Sequence, residues 1–230
     1  MRMMVVFQKG YALRFIGHLD LMRTIQRGLR RSGLPIAYSK GFNPHIRLSF
    51  AAPLSVGVIG ERELMELPLT EEVPTSDFVA RLNAVMPPDL RIQEAHVIAD
   101  NFPTLMSLVA GAQYEIRVEN NEATQRLLQA LPTFLALDTC IMARKTKSGE
   151  NDCDIVPYVK QAEGTLSDTG IVFRLTTFQL QSGALKPSLW FEAFCQYTNN
   201  PTPYAEIYRM QLLAKDANQN LIPLEALADA

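Results

Sequence analysis

Acidic side chains are almost missing from the first 50 residues of this 230-residue chain, where Asp20 stands alone against nine Lys or Arg. The rest of the chain carries 13 basic and 23 acidic side chains, so a formal net charge of −2 conceals a leading segment near +8 and a remainder near −10. A local field of that size attracts polyanions whatever the net charge.

Cysteine is scarce too. Cys140, Cys153 and Cys195 are far apart and odd in number, which argues against a disulfide framework, and no CxxC spacing offers the clustered thiolates of zinc ribbons or iron-sulfur clusters. Cys153, between Asp152 and Asp154, reads as a surface thiol in an acidic loop. Long apolar runs are also lacking. The run at 3–7 is too short for a secretory signal, and no stretch approaches the roughly 20 residues of a bilayer span. A cytoplasmic protein without membrane contact is expected. Neither GxxxxGK[ST] nor GxGxxG occurs. No cofactor and no metal is expected.

What is present is 47% hydrophobic content, enough for one large core or two ordinary ones. Residues 4–8 predict a strand and 18–32 a helix, with Leu21, Met22, Ile25 and Leu29 on one face and Arg23, Arg27 and Arg30 on another. Asp20 and the Arg30-Arg31 pair suit the two poles of that helix, and Gly33 ends it. Strands are expected at 34–38, 47–51 and 62–67. A helix N-capped by Thr75 follows, turning Phe78, Val79, Leu82 and Val85 inward, and a strand at 90–99 completes a βαββαβ order.

After a joint at 100–103 a second cycle begins. It has a strand at 113–119, a helix at 122–131 stopped by Pro132, a strand at 137–144, a long polar segment to Thr169, a strand at 171–178, a helix near Pro187 and a strand at 206–213. The repeated order predicts an α+β protein of two tandem ferredoxin-like domains, 1–105 and 106–230, with a loosely held tail after Lys215. Trp190, Phe191 and Phe194 are expected in the core.

Two glycine-punctuated stretches carry the candidate chemistry. In the first, Arg14 precedes Phe15 and His18 follows Gly17 at a helix start, where His18 reads either as a general base or phosphate contact, or as a capping residue packed beneath Phe15. In the second, Tyr38-Ser39-Lys40-Gly41-Phe42-Asn43-Pro44-His45-Ile46-Arg47, the Gly, Asn and Pro predict a shaped loop on which Lys40, His45 and Arg47 converge on an anion. The plainer reading is a rigid connection with solvated charges. Arg23, Arg27 and Arg30 would track a phosphate backbone while Phe15, Tyr38 and Phe42 supply stacking surfaces. His96 reads as a core or edge histidine without a partner nearby in sequence. Arg144-Lys145-Thr146-Lys147-Ser148-Gly149 reads as a basic hairpin tip beside the acidic turn at Asp152 and Asp154.

Those stretches, with Leu48-Ser49-Phe50-Ala51 and Pro53-Leu54, resemble the bacterial radical-SAM-linked family of unknown function, whose domains are fused to or encoded beside a radical SAM protein. The similarity covers nearly the whole chain, the segment from Arg144 to Tyr158 looking like the family's second block. Ile46 stands where the family commonly has a second proline and Val156 where it commonly has arginine, which removes one stiffening residue and one basic contact. The resemblance implies a radical SAM partner that carries the chemistry.

The expected function is therefore a non-catalytic adaptor that binds RNA or another anionic substrate through Arg14, His18, Arg23, Arg27, Tyr38, Lys40, Phe42, Asn43, His45 and Arg47. One alternative is a metal-independent endoribonuclease using His18 or His45 as general base. Tandem ferredoxin-like domains are similar in plan to CRISPR repeat-processing endoribonucleases, an analogy of fold alone. Another alternative is a module that docks on the radical SAM partner without RNA.

Overall fold

A computed structural model describes residues 1–146 and 149–228, which fall into two units: residues 1–109 together with those from Gln211 onward, and residues 110–210. Both units combine α-helices with mostly antiparallel strands, and the described residues form five α-helices.

In the first unit β1 (Arg2–Lys9), α1 (His18–Arg31), β2 (Ser49–Phe50), β3 (Val58–Pro68), α2 (Thr75–Asn83) and β4 (Leu90–Ile98) follow in sequence. The strands stand in the order β4-β1-β3-β2, each neighbouring pair antiparallel. Because β1 is an inner strand buried on both faces, it reads as a continuous apolar run rather than an alternating one. Met3, Val5 and Phe7 share a core with Leu21, Ile25 and Leu29 of α1 and with Phe78 and Leu82 of α2. The α1 stripe is as the sequence predicts, with Asp20 in its first turn, Arg30 and Arg31 in its last and Gly33 at φ +66° just beyond. The opposite face of β1 buries Met4 and Val6. There Arg2 donates to the carbonyls of Asp100 (3.2 Å) and Ala99 (3.4 Å) and pairs with Glu66. Glu66 also accepts the N–H of Leu105, the first residue of the short α3 (Leu105–Leu108), so the connection out of β4 is tied back to the sheet.

Three local expectations change. The strands expected at 34–38 and 47–51 reduce to the isolated bridges Ile36↔Leu69 and Tyr38↔Ile46 plus the two residues of β2, because the chain leaves the sheet edge between them. Pro74 is the N-cap of α2, and Thr75 is its first helical residue. Val85 lies beyond the end of α2, though it still packs on the core.

The second unit contains β5 (Gly111–Val118), α4 (Glu122–Leu135), β6 (Ile141–Thr146), β7 (Gly149–Asp154), β8 (Val159–Ser167), β9 (Gly170–Leu180), β10 (Gly183–Ala184), α5 (Pro187–Tyr197) and β11 (Ala205–Lys215), the last passing into the first unit at Gln211. Helix α4 does not stop at Pro132. Proline removes one N–H from the helix ladder, but Phe134 one half-turn later stacks on Phe194 at 4.7 Å and meets Trp190 edge-on at 5.9 Å, and that packing carries the helix on to Leu135. Trp190, Phe191 and Phe194 are core, as expected.

The strand expected at 137–144 begins later and pairs only with β7, as a separate hairpin. The strand that joins β9 in the main sheet is β8, inside the segment the sequence reads as polar loop. As an edge strand with most side chains exposed, β8 lacks the apolar run that marks an inner one. The tail is also not loose. β12 (Leu221–Pro223) pairs with β11, and the turn at Leu224–Ala228 packs against β1 and β4, burying Leu224 and Glu225. Among the described residues no helix is long and apolar enough to cross a membrane.

Candidate functional site

The excursion between Ala37 and Arg47 is a closed hairpin. Arg47 N donates to Ala37 O (3.1 Å), Tyr38 bridges Ile46, and Ser39 N donates to His45 O (2.8 Å). The Ser39 hydroxyl then accepts the backbone N–H of His45 (3.1 Å) and lies 2.8 Å from His45 Nδ1. Gly41, at φ +125°, makes the reversal with a backbone shape that side chains disfavour. Ile46 is buried in the core of the first unit and anchors the hairpin by burial.

Everything beyond that anchor faces solvent. Tyr38, Lys40, Asn43, His45 and Arg47 are exposed, and the Phe42 ring at the tip is fully exposed. Lys40 and Arg47 have no ion-pair partner among the described residues, nor do Arg27 and Arg30 on α1, the helix that leads into the hairpin. A groove of about 500 Å³ opens beside Arg47, lined by Arg2, Ser49, Glu66 and Phe102 among others.

The remaining predicted site residues lie elsewhere in the unit. Arg23 is paired with Asp20 at 3.0 Å. His18, the first residue of α1, meets Phe50 edge-on at 5.1 Å, while His45 is bonded to Ser39. The Arg14 guanidinium lies against two rings, 3.5 Å from the Tyr11 centroid and 4.4 Å from that of Phe15, while donating to Tyr11 O. Its backbone is fixed by Gly57 N, which donates to Arg14 O at 2.8 Å. Gly57 precedes β3, and Ala37 is bonded to Pro68 at the far end of that strand. The eight steps from Gly60 to Pro68 span about 26 Å, so Arg14 and the hairpin stand at opposite ends of β3.

Sequence reading missed the buried charges that shape this region. Lys9 and Glu63 are 1% and 3% exposed. Lys9 Nζ donates to the carbonyls of Arg14 (3.1 Å) and Ile16 (3.2 Å), holding the loop between β1 and α1. Glu63 folds over Gly60, the register partner of Lys9. A lysine ending an otherwise apolar strand was the available signal. His96 does have a neighbour in sequence, since its Nε2 lies 3.3 Å from Glu94, which Arg62 joins at 2.9 Å.

In the second unit Arg144 is a structural clamp, donating to the carbonyls of Ser182 (3.3 Å) and Ala184 (3.2 Å) and reaching Tyr158 Oη at 3.4 Å. Lys147 and Ser148 of the expected basic tip lie outside the described residues. Asp154 accepts the N–H groups of Cys140 and Val156, fixing the turn beside Cys153. Among the described residues no three His, Cys, Asp or Glu are grouped to hold a metal ion.

Residues 2–187 match the model of a family described as an uncharacterized protein conserved in bacteria, DUF2344. The chain belongs to this family. The DUF2344 match takes in the hairpin, the loop carrying Arg14 and His18, and the whole second unit as far as the first residue of α5. No curated protein matches the chain.

Proposed function

We propose that this chain is a non-catalytic binding module whose hairpin at 37–47 holds single-stranded RNA, or a modified RNA-linked substrate, for a radical SAM partner. The observation that carries the reading is Phe42, a fully exposed ring at the tip of a hydrogen-bonded hairpin, between two cations that have no acid to neutralise them among the described residues. An exposed ring costs solvation and gives nothing to the core, whereas stacking on a base gains about 1–3 kcal/mol. Lys40 and Arg47 flank it for phosphates, and Tyr38 offers a second ring on the same stem. Arg27 and Arg30 extend the cationic track along α1. The radical SAM partner comes from the family resemblance of the two N-terminal stretches.

Each unit is read as ferredoxin-like, a plan that holds unpaired bases in other proteins. The strand order β4-β1-β3-β2 in the first unit and the succession β11-β5-β9-β8 in the second support that reading.

The test is fluorescence anisotropy of the full chain with a labelled uridine-rich 12-mer across salt concentrations. Four cations on a single strand give a log-log slope near about −3, and losing one lowers its magnitude by about 0.7. Binding that ignores salt, or that survives Lys40→Ala combined with Arg47→Ala, overturns the reading.

A further inference from the structure

The other end of β3 carries a second surface of different chemistry. Tyr11, Phe15, Leu19 and Val56 are 47%, 64%, 62% and 61% exposed. They form one patch because Arg14 stacks on both Tyr11 and Phe15, a Cβ on Gly57 would stand 3.9 Å from the Phe15 ring, Val56 adjoins Gly57, and Leu19, the second residue of α1, follows Phe15 by four positions. The patch is preorganised. Lys9 fixes the Arg14 and Ile16 carbonyls from below, and Gly57 N fixes the Arg14 carbonyl from the side. Rigid exposed aromatics around an arginine are the make-up of a protein interface centre, since little conformational entropy is lost when they are covered.

Two features choose the occupant. The Arg14 guanidinium already lies against two rings, Tyr11 and Phe15, and the patch adds the aliphatic Leu19 and Val56, which give a nucleobase nothing to stack on but fit apolar side chains. The edge of the guanidinium, with one donor spent on Tyr11 O and no acid paired to it among the described residues, calls for a carboxylate. We infer that this patch docks a partner protein through an apolar segment carrying one Asp or Glu that meets Arg14. The inference does not depend on RNA binding, and it gives an adaptor its second face, about 26 Å from the hairpin along β3.

The test places the photo-crosslinker p-benzoylphenylalanine at position 15 of the full chain in a bacterial cell that encodes it and maps the captured segment by mass spectrometry. A synthetic peptide of that segment is then titrated against the purified chain. The expected results are a segment with an acid among apolar residues, a loss of affinity of more than about tenfold in Arg14→Glu, and recovery when the peptide's acid is changed to lysine. Arg14→Glu should still unfold in one cooperative thermal transition, which reports that the variant is folded without reference to RNA and keeps this proposal separate from the RNA reading. Crosslinking to RNA, to a second copy of the chain, to a segment without an acid or to nothing overturns the proposal, as does a charge swap that restores no binding.

Discussion

Ser39 and His45, six positions apart, close the hairpin, the serine hydroxyl accepting the His45 N–H at 3.1 Å and lying 2.8 Å from its ring nitrogen. One side chain thus sets both the backbone and the imidazole of a loop that buries almost nothing. Ser39→Ala should speed hydrogen exchange at residues 40–45 and weaken binding of the 12-mer, while global stability falls by about 0.5–1.5 kcal/mol or less. Unchanged exchange in the loop would show that these bonds do not hold it.

Phe42→Ala should leave the midpoint of urea unfolding in place, within about 0.5 kcal/mol, because the ring is fully exposed. RNA affinity should drop by about 1–3 kcal/mol in the same variant. A large loss of stability would mean that the ring has a structural partner.

Gly60 and Gly28 make a paired test. A Cβ at Gly60 would stand 2.9 Å from Cδ and 3.0 Å from Oε1 of buried Glu63, and closer still to Cγ, so Gly60→Ala should cost about 1–3 kcal/mol. At Gly28 the close contacts of the added carbon are with the flexible end of Met86, Cε at 2.6 Å and Sδ at 2.7 Å, Leu82 Cδ1 standing at an ordinary 3.7 Å, and alanine favours the helix by about 0.5–1 kcal/mol. Thermal unfolding should rank Gly28→Ala above Gly60→Ala, and the reverse order would contradict the account of Glu63.

Arg62 joins Glu94 at 2.9 Å and Glu225 at 2.8 Å, fastening the tail to the sheet. Its hydrogen bond holds the Glu94 carboxyl below the usual range against a smaller opposing effect of burial. A carboxylate whose folded value is depressed lends stability above its unfolded value, which is lost as pH falls through the folded value. Urea unfolding should therefore weaken below about pH 4.5. Arg62→Met should flatten that dependence and cost about 1–3 kcal/mol at neutral pH, since Glu225 stays buried. An equally steep acid dependence in the variant would assign the effect to other carboxyls.

Cys195 is fully buried, and burial pushes its thiol up to about 11. It should resist a thiol-specific chromogenic reagent at pH 8 until the chain is unfolded, when it should react readily. Rapid native-state labelling of Cys195, located by peptide mapping, would contradict its place on the buried face of α5.

The sequence by itself determined the elements with a strong period or a hard stop. The α1 stripe of Leu21, Ile25 and Leu29, the closing Gly33 and the strand read at 4–8 were all legible, because each is enforced by local geometry or by burial. The reversal at Gly41 was legible for the same reason. Only the tertiary structure decided what depends on partners far along the chain. Helix α4 crosses Pro132 because Phe134 finds Trp190 and Phe194, and the polar 159–167 becomes a strand because β9 offers it an edge. The tail is held because Arg62 reaches Glu225, across 163 positions. The division of the basic segment was equally hidden. Its charges look continuous in sequence, but β3 sets Arg14 and the hairpin at its two ends, since an extended strand separates by length what a count of residues places together.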